Sequence, residues 1–275
     1  MLLVLVSAAL HATWNSLVKS GKDRYLDTAG VLLGSSAISS VALIFLRAPA
    51  PPCYSYIAAS AALHIAYFSL IAATYDLADM SVVYPITRGA APALSAVLTA
   101  LAVHEYPTPR GWLGAFLISA GVIAFTFQNH KSVDLRSNAI KLALLNALLI
   151  ALYTLVDGVG VRRSGNAFSY TCWGFLIWGM GYVPAVILIR RREAIDHLRK
   201  KWKRGTVGGA CSLAAYMIAM WAMTKSHIAS IAALRETAIL FGIGIASIRL
   251  KEPVTRVRVA ACLLIVFGAI IIKMS

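Results

Sequence analysis

Ten stretches of about 18–24 mostly apolar residues follow one another along the chain, each long enough to cross a hydrocarbon core about 30 Å thick as a helix. They lie near residues 2–19, 26–46, 54–76, 81–103, 109–127, 138–161, 167–189, 205–225, 228–249 and 255–273. The segments between them are mostly under about a dozen residues, too short for a soluble domain. Only 13% of the 275 residues are charged, about half of what soluble domains carry. The chain therefore reads as an all-α polytopic membrane protein. Its net charge of +15 does not point to nucleic acid, because the Lys and Arg residues sit in short turns between apolar runs, as in membrane loops. The lipid bilayer is the expected surrounding.

Cys53, Cys172, Cys211 and Cys262 have neither CxxC nor metal-ligand spacing, and three of them lie inside apolar runs. No HExxH or GxSxG motif accompanies the histidines and serines. No metal, cofactor or catalytic residue is expected. The first segment lacks the basic start of a signal peptide and is echoed by the sixth, with Trp14 opposite Tyr153, so it is expected to be a helix of the mature protein.

The stretch from Val82 to Ala124 recurs, weakened, from Ala229 to Ile271. Moved 147 positions along, Arg88 falls on Arg235, Glu105 on Glu252, Thr108 on Thr255 and Gly121 on Gly268. Five spans per copy is an odd number, so the second copy is inverted in the membrane relative to the first. The division predicted is 1–130 and 131–275, two inverted five-helix repeats making ten transmembrane helices.

An arginine at bilayer depth costs about 2.5–3.5 kcal/mol on insertion scales, and each copy places one well inside an apolar span. Arg88 and Arg235 thus mark a working centre, and Glu236 is the carboxylate beside them. Tyr84, Pro85 and Pro92 flank Arg88, which predicts an irregular fourth helix. The ninth helix has no proline, only Gly242 and Gly244. His11 and Asn15 share a face of the first helix and either line a cavity or bond across helices. His64 is the one ionisable residue near the middle of the third span, either a hydrogen-bonded core histidine or a proton carrier. Asp157, close to the end of the sixth span, reads as solvated. The stretch 190–204, with eight basic residues, reads as a solvated topogenic loop in preference to a lipid-headgroup contact. Gly34, Ser35, Ser36, Ser39 and Ser40 suit close helix packing.

HATWNSLVKS near the start, PALSAVLTALAVHEYPTPRGWLGAFLISAGVIAF and its echo IGIASIRLKEPVTRVRVAACLLIVFGAIII together resemble the EamA-type ten-helix proteins of the drug/metabolite transporter superfamily. The resemblance covers essentially the full length. It implies a secondary carrier, not an enzyme, in a prokaryotic cytoplasmic membrane, as a monomer or homodimer. It also implies a central cavity lined by the first, third, fourth, sixth, eighth and ninth helices. Trp14, Asn15, His64, Tyr84, Arg88, Tyr153, Tyr216, Arg235 and Glu236 then become lining residues, while Glu105 and Glu252 match structural loop glutamates. The substrate expected is a small anionic or zwitterionic metabolite, amino-acid- or phosphonate-like, moved by alternating access with proton coupling through Glu236 open. A flippase of a lipid-linked phosphate headgroup is the rival.

Ten spans put both termini on one face. Reporter fusions at residues 1 and 275 are expected to report the same side, and opposite sides would refute ten crossings.

Overall fold

The structure, a computed structural model, describes residues 1–77, 80–127, 138–242, 244 and 255–274; at 68, 69, 71–77, 80–85, 125–127, 139, 256 and 258 it describes the backbone alone. Among the described residues every regular element is helical. The elements are α1 (Leu2–Lys19), α2 (Arg24–Phe45), a 3₁₀ turn (Pro51–Cys53), α3 (Tyr54–Leu77), α4 (Met80–Val103), α5 (Pro109–Phe127), α6 (Asn138–Arg163), α7 (Ala167–Lys200), α8 (Trp202–Met223), α9 (Ile228–Arg235) and α10 (Arg256–Lys273). Each expected span contains a helix; of the ninth, expected over 228–249, residues 243 and 245–249 lie outside the described residues. Among the described residues six helices have an apolar window long enough to cross a membrane, and α5 and α10 carry shorter apolar stretches, Pro109–Ala124 and Val259–Lys273.

The chain forms two compact units. The first comprises Ala66–Val156 and Lys225–Ser275, the second Leu2–Ile65 and Asp157–Thr224. Each unit therefore takes helices from both halves of the sequence, packing helices on their repeat equivalents: α4 on α9 and α5 on α10 in the first, α2 on α7 in the second. All three pairs run antiparallel, the local signature of an inverted repeat.

In the second unit the small residues of α2 do what their size suggests. A methyl group added at Gly34 would lie 2.6 Å from the Gly205 carbonyl oxygen, so α2 and α8 meet backbone to backbone. Ser36 Oγ donates to the Phe175 carbonyl at 2.8 Å, and Ser7 Oγ to that of Ala215 at 2.7 Å, joining α2 to α7 and α1 to α8. The end of this unit carries most of its charge. Asp23 caps α2 by accepting from the Leu26 amide at 3.1 Å, and its other oxygen meets Arg190 Nη2 at 2.7 Å. Buried Asp27 meets His197 Nε2 at 2.9 Å, and Arg204 donates to the Leu17 carbonyl and to Ser20 Oγ.

These contacts correct the reading of 190–204 as a loop, while Arg191, Arg192, Arg199, Lys200 and Lys203 are exposed as that reading expects. The stretch is largely helical and docked on the α1–α2 link, with a break at Arg191, whose φ of 47° and ψ of −122° bend α7. Acidic residues at 23 and 27, remote in sequence, draw the basic run down onto the unit.

In the first unit α5 crosses α10 at reciprocal positions. A methyl group at Gly268 would sit 2.6 Å from the Gly114 carbonyl oxygen, and one at Gly121 2.8 Å from that of Ala261. Gly114 is the repeat equivalent of Ala261, and Gly121 of Gly268, so the seam is self-complementary. Gly268→Ala is expected to destabilise the protein by about 1–3 kcal/mol through overpacking. Gly242→Ala, with nothing within 4 Å of the added methyl among the described residues, should be neutral or stabilising by up to about 1 kcal/mol. Thermal melting of the two variants in detergent checks the difference.

Candidate functional site

The site is built on α4 and on the segment that starts with α9. Residues 88, 91, 92 and 95 share a face of α4 by their spacing of three, four and seven. The helix runs unbroken over Met80–Val103, which overturns the expected irregularity beside Arg88. Pro92 cannot supply the amide that would bond the Arg88 carbonyl, yet the turns on either side keep the helix intact.

The break lies in the other half. α9 ends at Arg235, and the chain tightens into bonds between residues three apart. The Glu236 amide donates to Ala233 at 3.0 Å, Thr237 to Leu234 at 3.1 Å, Ile239 to Glu236 at 3.0 Å and Leu240 to Thr237 at 2.9 Å. Such bonds define a 3₁₀ turn, which inside a helix often marks a functional position. Thr237 Oγ1 also donates to the Leu234 carbonyl at 2.7 Å, competing for an acceptor that a regular helix would use. Helix resumes over 238–242. The signal in the sequence was the Glu-Thr pair rather than a proline.

The start of α9 is held by Glu105 from the link after α4. Its Oε2 accepts from the Ile228 amide at 3.3 Å, a carboxylate at a helix N-terminus that has no side-chain cap from His227. His104, at φ 56°, turns the chain to bring Glu105 there. Glu105 thus has the structural role that the resemblance implies; Glu252 lies outside the described residues.

Between these elements Arg88 and Glu236 form a buried ion pair, Nη2 to Oε1 at 3.1 Å, with 8% and 4% of the residues exposed. Glu236 Oε2 is buried and makes no hydrogen bond. A cavity of about 280 Å³, its open mouth included, is lined by both partners together with Arg235, Tyr153, Thr154, Ser95 and the apolar Ala91, Pro92, Ile150 and Ala232. Its three charged groups sum to one positive charge. The mirror image of the pair is absent, because the equivalent of Glu236 is Gly89. An added methyl there would strike Ile123 Cγ1 at 2.5 Å, so that position is spent on packing α4 against α5.

Four of the expected residues, Arg88, Arg235, Glu236 and Tyr153, are thus brought together in the first unit. Ser95 and Thr154 join them; the α4 spacing could have found Ser95, while Thr154 is simply the neighbour of Tyr153. The side chain of Tyr84 lies outside the described residues.

The remaining four belong to the second unit. The hydrogen bonds of Trp14 and Asn15 stay within α1: the indole donates to His11 Nδ1 at 3.3 Å, and the Asn15 amide to the His11 carbonyl at 2.8 Å. The bonds of Asn15 therefore do not cross helices. His64 is buried, stacked on Trp178 with ring centroids 3.8 Å apart and edge-on to Tyr216. Tyr216 donates to Asp157 Oδ2 at 2.5 Å and Tyr170 to Asp157 Oδ1 at 2.9 Å. Asp157 is 1% exposed, which corrects its reading as a solvated helix end. Two more turns of α6 follow it, and Tyr170 of α7 covers it. Among the described residues no group of His, Cys, Asp and Glu is arranged to hold a metal ion.

Removing one partner of a buried pair strands the other charge, at a cost of about 3–5 kcal/mol. Arg88→Ala is therefore expected to lower the melting temperature more than the double variant Arg88→Ala/Glu236→Ala. Thermal unfolding of both against wild type measures this.

The sequence matches the model of the EamA-like transporter family over residues 137–274. A crystal structure described only as that of a protein is similar, with a TM-score of 0.75 and 17% sequence identity over 99% of this chain and 96% of that one; at that identity the likeness concerns the fold. No curated protein matches the sequence. With a match over half its length and the helical membrane architecture above, the chain belongs to the EamA-like transporter family, part of the drug/metabolite transporter superfamily.

Proposed function

We propose that this membrane transporter carries a small anionic or zwitterionic metabolite, amino-acid- or phosphonate-like, by alternating access around Arg88, Arg235 and Glu236. The observation that carries the reading is the buried Arg88–Glu236 pair sharing a cavity of about 280 Å³ with a second arginine. Guanidinium groups offer planar pairs of donors that match the oxygens of a carboxylate or phosphonate and stay charged in any surroundings. Glu236 Oε2, a buried acceptor without a hydrogen bond, suits the ammonium group of a zwitterion. Ser95, Thr154 and Tyr153 supply hydroxyls to fix orientation.

In the empty site Glu236 balances Arg88. The incoming anion takes over the arginine, and the carboxylate is displaced or neutralised; that exchange is the differential interaction that lets substrate shift the balance of inward- and outward-open forms. The broken backbone at Glu236–Thr237 gives the second half of the site room to move. A lipid-headgroup flippase would use the same arginines, and transport of soluble metabolites against lipid scrambling distinguishes the two.

The test is uptake and counterflow of anionic and amphoteric metabolites in liposomes carrying wild type, Arg88→Ala, Arg235→Ala or Glu236→Gln. Each arginine variant is expected to lose about tenfold or more in transport, as befits a lost charge-assisted hydrogen bond. Unaltered transport in both folded arginine variants would falsify the site. Transport of cations alone would overturn the charge argument, and scrambling of a labelled anionic phospholipid without metabolite uptake would favour the flippase.

A further inference from the structure

The second unit holds a carboxylate that this transport scheme does not use. Asp157 is 1% exposed on α6, six residues before the helix end at Arg163, or about 9 Å at 1.5 Å per residue. Both of its oxygens are engaged, and only by neutral phenols: Tyr170 at 2.9 Å from α7 and Tyr216 at 2.5 Å from α8. It takes part in none of the ion pairs among the described residues.

The charged and titratable groups around it are few. On α6 itself, Arg162 Nε donates to the Met223 carbonyl at 2.7 Å, and Arg163 lies over the Tyr56 ring at 5.0 Å. Cys53 and Tyr56 stand near Tyr170. His64 of α3 lies edge-on to Tyr216, its Nδ1 held at 2.9 Å from the Ser60 carbonyl oxygen. A carboxylate in hydrocarbon with no cation opposite it is costly, and such residues mark proton paths.

We propose that Asp157 is a membrane-embedded proton-binding site. Only its service as the coupling site of transport rests on the carrier reading above; the binding itself stands on this unit alone. A proton from the aqueous phase forms one O–H bond on a carboxyl oxygen and discharges the group, and one phenol turns from donor to acceptor. Nothing else is made or broken.

The rings of His64, Trp178, Phe175 and Tyr216 close on one another, with Trp178 centroids 3.8, 4.8 and 5.4 Å from the other three. The indole Nε1 of Trp178, buried without a hydrogen bond, is a further donor within the cluster. In chain order, Asp157 is the first residue of α6 in the second unit, and Ile65, next to His64, the last of α3 in it.

Infrared difference spectra of the full-length protein in liposomes, between acidic and alkaline buffer in H₂O and D₂O, test this with the proton as probe. On acidification wild type and Glu236→Gln are expected to show, apart from the absorption of the exposed carboxyls common to all variants, the protonated-carboxyl band of a buried group that Asp157→Asn lacks. Persistence of the band in Asp157→Asn, or its loss in Glu236→Gln instead, overturns the proposal whatever the uptake experiments give. Should Asp157→Asn not fold, Tyr216→Phe takes its place. That variant keeps the carboxyl but removes one donor, and the midpoint of the band is expected to move by about tenfold in proton concentration. An unmoved midpoint overturns the assignment equally.

Discussion

A backbone amide or carbonyl in hydrocarbon has no water to turn to, and most of the structure follows from that. Long apolar runs become helices because a helix satisfies its own peptide groups. Where the described helices depart from regularity, the departure is covered. At Arg191 it falls among charged side chains at the end of a span. At Glu236–Thr237 it falls among buried residues, where bonds three residues apart and the Thr237 hydroxyl take up the carbonyls. The cavity forms where regular helix stops.

Around that break the repeat is followed and then abandoned. The α5–α10 seam is symmetric, each glycine meeting the other half at the equivalent place. One helix inward, α4 meets α9 without symmetry. Position 89 is a glycine pressed against α5, whereas its equivalent is Glu236, paired with Arg88. Packing alone would tolerate the same residue type in both halves. The difference leaves two arginines beside one carboxylate, an excess of one positive charge in the cavity.

The spans and their order were legible because apolar length is a one-dimensional property, and so were the small residues of α2 and the inward arginines. What sequence distance hid was decided by neighbours remote in the chain. Asp157 looks terminal when counted from Arg162 and Arg163, but α7 begins at once and lays Tyr170 over it. The basic run at 190–204 reads as a loop until Asp23 and Asp27 are seen opposite Arg190 and His197. Proline pointed to the wrong helix: α4 absorbs Pro92, while a Glu-Thr pair without proline interrupts α9. His11 and Asn15 share a helix face as their spacing says, but the hydrogen bonds of Trp14 and Asn15 are satisfied within α1.

The reciprocal seam of α5 and α10 bears on how the two halves of such a gene can diverge. A side chain gained at position 268 is felt at 114, and one gained at 121 is felt at 261, so drift on one half is checked by the other. The pair of positions 89 and 236 is under no such mutual check, since one faces a neighbouring helix and the other a cavity. Duplicated halves joined this way stay alike where they touch and become free to differ where they line a cavity.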